Sequence, residues 1–180
     1  RTGRANRMNR SAHFRSDDAW LTAAWSHPSS KVLVVDNARA LVAGDRLLWT
    51  SSGNAPAGER LFLGTPDDGE SGAGYFAVAA ALPDEPEGTR AASLRDVGAV
   101  LPADEAALLA HAAALEQWHA RHPRCPGCGA PTAARLGRHL RVCLEDGSEH
   151  YPRTDPAVIM LVTDDADRAL RRKVRIAAID

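Results

Sequence analysis

Residues 125–147 read CPGCGAPTAARLGRHLRVCLEDG, and the two turns at the ends of this stretch decide the fold. Cys125-Pro126-Gly127-Cys128, followed by Gly129, puts two thiols on one short loop, where both can meet a single tetrahedral ion. The glycines let backbone amides turn toward the sulfurs without a Cβ clash. A closed zinc ribbon wants a second such turn after a spacer of about 15–20 residues. Cys143-Leu144-Glu145-Asp146-Gly147 stands there, with aspartate in the place of the fourth cysteine. Four completions of the site are open at this level. Asp146 can ligate through an oxygen, His150 is a softer donor three residues further on than a ribbon turn expects, water can complete three thiolates, or packing alone can keep the turns. The expected metal set is Cys125, Cys128, Cys143 and Asp146.

Outward from the ribbon, the N-terminal side is a helix. Leu108, Ala112, Leu115 and His119 recur at i, i+4, i+7 and i+11, which predicts a helix over about Asp104–His122 with one buried stripe. Pro123 ends it and delivers the chain into the first cysteine turn. His111, His119 and His122 lie on or near this helix without metal-binding spacing, so they read as packing or surface residues. No Asp or Glu occurs from Gln117 to Leu144, whereas Arg121, Arg124, Arg135, Arg138 and Arg141 do. That local positive field suits either a phosphate-bearing ligand or a solvated face beside thiolates.

Further upstream, Trp20, Leu21 and Trp25 follow the capping residues Ser16 and Asp17 at helical spacing. Lys31–Asp36, Arg46–Trp49, Leu61–Leu63 and Tyr75–Leu82 read as strands between turn-forming residues. The glycines of Thr65–Gly74 precede a strand, not a helix, so they mark a hairpin loop and not a phosphate cradle. Residues 1–15, with Arg1, Arg4, Arg7, Arg10 and Arg15, read as a mobile basic tail. Beyond the ribbon, Glu149–Pro156 is stiffened by two prolines, and Ala157–Thr163 is an apolar run of the kind buried on both faces of a sheet. The expected division is tail 1–15, mixed domain 16–100, connecting helix 101–122, ribbon 123–152, and the start of a further domain at 153–180.

Composition narrows the classes. The 180 residues are 44% hydrophobic and 25% charged with a net charge of −1, the balance of a folded domain with no global attraction to nucleic acid or anionic lipid. The apolar runs fall far short of the ~20 residues that cross a bilayer, and no secretory signal is visible. Three cysteines are an odd number and suit a reducing, cytoplasmic setting better than disulfides. A thioredoxin-like role for Cys125 and Cys128 lacks its βαβ surroundings, and a deaminase site lacks its His-x-Glu.

The CPGCG turn with its later Cys143, the helix leading into it and the segment HYPRTDPAVIM (150–160) together resemble the NADH pyrophosphatase branch of the Nudix hydrolases. The resemblance implies an α+β chain: an N-terminal mixed β/α domain, a long helix and a zinc ribbon, leading into a Nudix α/β/α sandwich of which only the opening strand is present. It implies a homodimeric enzyme that splits the pyrophosphate of NADH or NAD into nicotinamide mononucleotide and AMP, with NAD-capped RNA as a further substrate of some members. It also implies substrate contacts at Arg95 and Tyr151. The family's acidic ribbon contact falls at Arg138 and is not carried over. Mg²⁺ or Mn²⁺ belongs to the glutamates of the Nudix box, G-x5-E-x7-R-E-U-x-E-E-x-G-U. Because no two adjacent glutamates occur in this sequence, no catalytic residue is assigned, and the expectation is a chain truncated before the box and inactive alone. The rival expectation is a non-catalytic zinc-ribbon module that binds RNA or a protein partner through its arginines.

Overall fold

The N-terminal half is built on a three-stranded sheet that is buried on both faces. The computed structural model describes residues 9–66, 69–153, 161, 163–166 and 168–169. Strand β1 (Lys31–Val35) pairs parallel with β5 (Tyr75–Ala79), which pairs antiparallel with β4 (Glu59–Gly64), in the order β1-β5-β4. Alternation sends Leu33, Val35, Leu61, Leu63 and Ala77 to one side and Val32, Phe62, Phe76 and Val78 to the other. Both sides are apolar because both are covered.

The first face meets helix α3 (Ala103–Arg121) and a second sheet. Leu108, Leu109, Ala112 and Leu115 of α3 share one cluster with Leu33, Val35, Leu61 and Leu63. The second sheet is antiparallel, ordered β3-β2-β6, with β2 at Arg39–Ala43, β3 at Arg46–Leu47 and β6 at Thr89–Ser93. It adds Ala40, Val42, Leu47 and Ala92 to the same cluster. The opposite face of the first sheet carries helix α1 (Asp18–Ser26), capped by the Asp17 carboxylate accepting the Trp20 amide at 2.8 Å. Trp25 stands edge-on to Phe76 with centroids 5.3 Å apart, and Trp20 meets Phe62 in the same way at 5.7 Å.

Strands β2 and β6 are absent from the pattern expected of the sequence. Their cores are Ala40-Leu41-Val42 and Ala91-Ala92, and alanine has little intrinsic strand preference. Tertiary pairing supplies what propensity does not. Asn37 and Ala38, at φ 49° and 60°, close a two-residue hairpin between β1 and β2, and Glu116 of α3 accepts the Ala38 amide at 3.1 Å. Strand β4 runs longer than the expected Leu61–Leu63, and β3 is shorter than Arg46–Trp49. The glycine-bearing segment after β4 does join two antiparallel neighbours, as a hairpin loop should.

Residues 9–15 correct the expectation of a solvated tail. Asn9 and Thr65 exchange backbone hydrogen bonds at 3.1 and 2.8 Å, Ser11 is 2% exposed, and the Phe14 ring stacks on Trp20 at 3.9 Å. The arginine spacing announces charge, but Ser11 and Phe14 do the anchoring. Residues 1–8 lie outside the described residues.

A short helix and the ribbon finish the architecture. Helix α2 (Leu94–Val97) starts in a capping box between Ser93 and Asp96. The ribbon follows α3 as a third sheet, β7 (Thr132–Arg135), β8 (Leu140–Cys143) and β9 (Glu149–His150), with the 3-10 turn Leu136–Arg138 between the first two. The apolar run Ala157–Thr163 lies outside the described residues except for Leu161 and Thr163, and so does most of the segment 153–180. No helix among the described residues is long and apolar enough to cross a membrane.

Glu105 fixes the start of α3 to the second sheet. Its carboxylate is buried and accepts Arg46 Nε at 2.9 Å, Arg46 Nη2 at 2.6 Å and the Leu47 amide at 2.6 Å. Glu105→Ala strands the buried Leu47 N–H, and urea unfolding is expected to show a loss of about 1–3 kcal/mol. Arg46→Ala, which leaves that amide bonded, is expected to cost less.

Candidate metal centre

The two ribbon turns are copies of one another in backbone geometry. In the first, the Gly129 amide donates to the Cys125 carbonyl at 2.9 Å and the Cys125 amide to Ala130 at 2.8 Å. In the second, the Gly147 amide donates to the Cys143 carbonyl at 3.2 Å and the Cys143 amide to Ser148 at 2.9 Å. Gly129 and Gly147 hold φ of +76° and +72°, the left-handed conformation that closes such a turn at little cost only for glycine. Asp146 therefore occupies in the second turn the position that Cys128 occupies in the first. Strands β7 and β8 pair Thr132 with Cys143, and the Leu144 amide donates to Pro131 at 3.0 Å, which brings the turns face to face.

The donor atoms of Cys125, Cys128, Cys143 and Asp146 consequently lie within 4.8 Å of one another. Cys125 and Cys143 are buried, whereas Cys128 and Asp146 are exposed. The Sγ atoms of Cys128 and Cys143 are 3.4 Å apart. Cys125 Sγ lies 3.5 Å from Ser148 Oγ and accepts the Gly127 amide at 3.4 Å. The Ser148 hydroxyl and the Cys128 amide draw the Cys125 thiol down to about 6. Against the help of the Ala130 amide, the Cys143 and Cys125 sulfurs hold the Cys128 thiol up to about 11. The Ser148 hydroxyl and amide keep the Asp146 carboxyl well below the usual range. One thiol favours its anion, its neighbour is prevented from ionising, and a carboxylate is beside them. A divalent cation removes that conflict by compensating all the anions at once. Three sulfurs and one oxygen at this spacing could hold a metal ion, and the set is consistent with zinc.

His150 does not join the cluster. Its Nε2 lies 3.2 Å from Ser148 Oγ, so it backs the serine that touches Cys125. Arg95 is exposed on α2, and Tyr151 is half exposed after β9 with its hydroxyl donating to Glu149 at 2.6 Å. Neither belongs to the metal cluster. The ribbon arginines divide. Arg138 pairs with Glu59 at 2.9 Å and Arg135 is exposed, but Arg141 is 8% exposed and cannot serve as a phosphate contact.

Arg141 instead ties the ribbon to α3. It donates from Nε to Thr132 Oγ1 at 2.6 Å, from Nη2 to the Thr132 carbonyl at 3.0 Å and from Nη1 to His119 Nδ1 at 2.8 Å. His119 then donates from Nε2 to the Arg138 carbonyl at 2.8 Å. About two turns earlier in the helix, His111 Nε2 lies 3.0 Å from His139 Nε2. His139 Nδ1 is 3.2 Å from both the Leu136 and Gly137 carbonyls and donates to them, so His111 is the donor between the two rings. These histidines fasten the seam, as expected of packing residues. The seam was illegible in the sequence, because nothing in the spacing pairs position 111 with 139 or 119 with 141.

Residues 16–118 match the family described as the NADH pyrophosphatase-like rudimentary NUDIX domain. Over 171 residues, 90% of this chain and 52% of the relative, the sequence is 36% identical to the NAD-capped RNA hydrolase NudC of Mycobacterium tuberculosis strain H37Rv. It is 34% identical over 96 residues to NudC of Stutzerimonas stutzeri, covering 53% of this chain and 35% of that protein. It is 39% identical over 66 residues to the NAD-capped RNA hydrolase NUDT12 of Macaca fascicularis, covering 32% and 14% of the two chains. The chain spans about half the length of the mycobacterial relative it matches.

The histidine seam makes stability depend on pH. Burial, with Arg10 and Arg15 nearby, lowers the His111 pKa to about 4. Burial, with Arg15 and His111, lowers that of His139 to about 3, and burial also lowers His119. The unfolded chain takes up these protons near an ordinary pKa of about 6.5, so it binds more protons than the folded chain as pH falls below that value. Stability is therefore full above this range and lost on acidification. The melting temperature is expected to fall from about pH 6.5 downward. His111→Gln combined with His139→Asn should flatten the slope between about pH 6.5 and 5, before most carboxylates titrate.

Proposed function

The chain belongs to the NADH pyrophosphatase branch of the Nudix hydrolases, and from that premise we propose that it is the N-terminal and zinc-ribbon portion of an NAD(H) diphosphatase. Such an enzyme hydrolyses the pyrophosphate of NADH or NAD to nicotinamide mononucleotide and AMP. The names of the relatives extend the substrate to NAD-capped RNA. The observation that carries the reading is continuity: the likeness to NudC runs for 171 residues, long enough to span the rudimentary Nudix unit, the helix and the ribbon.

In this reading Zn²⁺ sits on Cys125, Cys128, Cys143 and Asp146 as a structural ion. Bound there it would hold the paired turns together, while Arg141 and His119 join the ribbon to α3. Arg95 offers a charge-assisted fork to a phosphate and Tyr151 a ring and hydroxyl to the dinucleotide. Both are exposed in a way that supports contact with a ligand or with another part of the enzyme. Mg²⁺ or Mn²⁺ on the glutamates of a Nudix box would neutralise charge on the pyrophosphate oxygens and activate water. The 180 residues contain no adjacent glutamates, so they supply no catalytic residue of their own. A homodimer in the cytoplasm is the assembly and setting we propose for the protein that carries both parts. An odd number of cysteines, three, suits a reducing setting better than disulfides.

Two measurements test this. Competition with a chromophoric chelator is expected to find one Zn²⁺ per chain, held about tenfold or more weakly by Asp146→Ala and more tightly by Asp146→Cys. Equal affinities for the natural chain and Asp146→Ala would remove the carboxylate from the ligand set. In the second, the purified chain with NADH and Mg²⁺ is expected to release no AMP above the protein-free control, read by chromatography. The same residues joined to a Nudix box should release AMP and nicotinamide mononucleotide, and Tyr151→Ala should raise KM there. AMP release that follows the 180-residue chain through purification would contradict the assignment.

A further inference from the structure

A cavity of about 340 Å³ opens between α1, the β4–β5 face and the ribbon turn 134–138, and neither the metal ligands nor Arg95 nor Tyr151 lines it. Its α1 wall is a single helical stripe, Asp18, Leu21, Thr22 and Trp25, at i, i+3, i+4 and i+7. Its floor is Phe62 and Phe76. Arg60 stands at the rim with its guanidinium carbon 4.3 Å from the centroid of the Trp25 ring. Arg135 and Arg138 enter from the ribbon side.

Charge and shape favour one kind of occupant. Among the described residues Arg138 is paired with Glu59, but neither Arg60 nor Arg135 makes an ion pair, so the cavity carries two guanidinium groups outside any ion pair against one carboxylate, that of Asp18. Arginine holds phosphate through a planar fork and also stacks on aromatic rings, and Arg60 on Trp25 is placed for both. Asp18 gives the rim one acceptor for a ribose hydroxyl or an exocyclic amine.

The ribbon wall is also held in an unfavourable conformation. Leu136, Gly137 and Arg138 have φ of 51°, 55° and 74°, three left-handed residues in succession, two of them not glycine. Their carbonyls are taken by His139 and His119, and a Cβ on Gly137 would come within 3.1 Å of the Phe62 Cβ. Strain maintained by buried partners points to a site when it shapes a cavity wall. Here it sets Arg135 and Arg138 on either side of a turn pressed against the aromatic floor.

We propose that this cavity binds a nucleoside 5′-phosphate, with the base against Trp25 and Leu21 and the phosphate on Arg60 and Arg135. Its volume is at the lower end of the range for small-molecule sites, about 300–1,000 Å³, and admits one nucleotide unit. That unit comes either from a free mononucleotide or from the 5′ end of an RNA strand. The proposal stands on this cavity and is independent of where hydrolysis takes place.

The test is a binding titration of the whole chain with AMP, followed by calorimetry and by the tryptophan indole resonances, with the Trp25 signal identified by Trp25→Phe. AMP is expected to saturate with a Kd of about 1 mM or tighter and to shift the Trp25 indole. Adenosine alone and inorganic phosphate alone are expected to bind about tenfold or more weakly. Arg60→Ala with Arg135→Ala, both exposed positions, should weaken AMP about tenfold or more while the melting temperature stays unchanged. A 5′-phosphorylated oligoadenylate that binds more tightly than AMP identifies a strand as the source, and equal binding identifies the free mononucleotide. The proposal is overturned if AMP fails to saturate by about 10 mM, if phosphate binds as well as AMP, if the double variant binds AMP unchanged, or if the shift falls on another tryptophan.

Discussion

Three sulfurs and a carboxylate brought within 4.8 Å of one another are the constraint on which the C-terminal half is organised. The backbone enforces that crowding before any ion is considered, because both turns are closed by the same pair of hydrogen bonds and the same left-handed glycine. Fixing the turns fixes β7 and β8, and these place Arg141 against Thr132 and His119. The orientation of the ribbon on the long helix thus follows from the geometry at its far end.

Helix α3 acts as a strut between the two halves. At its first turn Glu105 holds β3, in its middle Leu108, Leu109 and Ala112 fill the core while His111 reaches the ribbon, and near its end His119 grips the ribbon again. Nineteen residues of helix span about 28 Å, so these contacts join parts that share no strand. The second face of the main sheet has a different closure, with α1 and the Phe14 stack covering Phe62 and Phe76. The ribbon turn reaches that face too, which is why the cavity beside Trp25 has walls from both halves.

Some of this was legible in the residues. The stripe on α3 predicted its buried face, including His119, and Asp17 announced the start of α1. The cysteine spacing named Cys125, Cys128, Cys143 and Asp146 as one candidate set, whose donor atoms lie within 4.8 Å of one another, and it left open His150, which lies beside Ser148 instead. Short-range rules suffice there because turns and helices are local. They fail where long-range pairing decides. Alanine-rich β2 and β6 exist because they find each other, Arg141 is buried because a helix happens to offer His119, and residues 9–15 dock through Ser11 and Phe14 despite their arginines. A run of arginines without acids reads as one surface, yet the fold distributes it among an ion pair, a buried clip and a cavity rim.

X-ray absorption at the zinc edge of the loaded chain tests the central claim most directly, since it counts donors by element. Three sulfur neighbours near 2.3 Å and one oxygen near 2.0 Å are the predicted shell, and the oxygen should give way to a fourth sulfur in Asp146→Cys. A shell with fewer than three sulfurs, or one whose light-atom neighbour shows the multiple scattering of an imidazole, would contradict the ligand set.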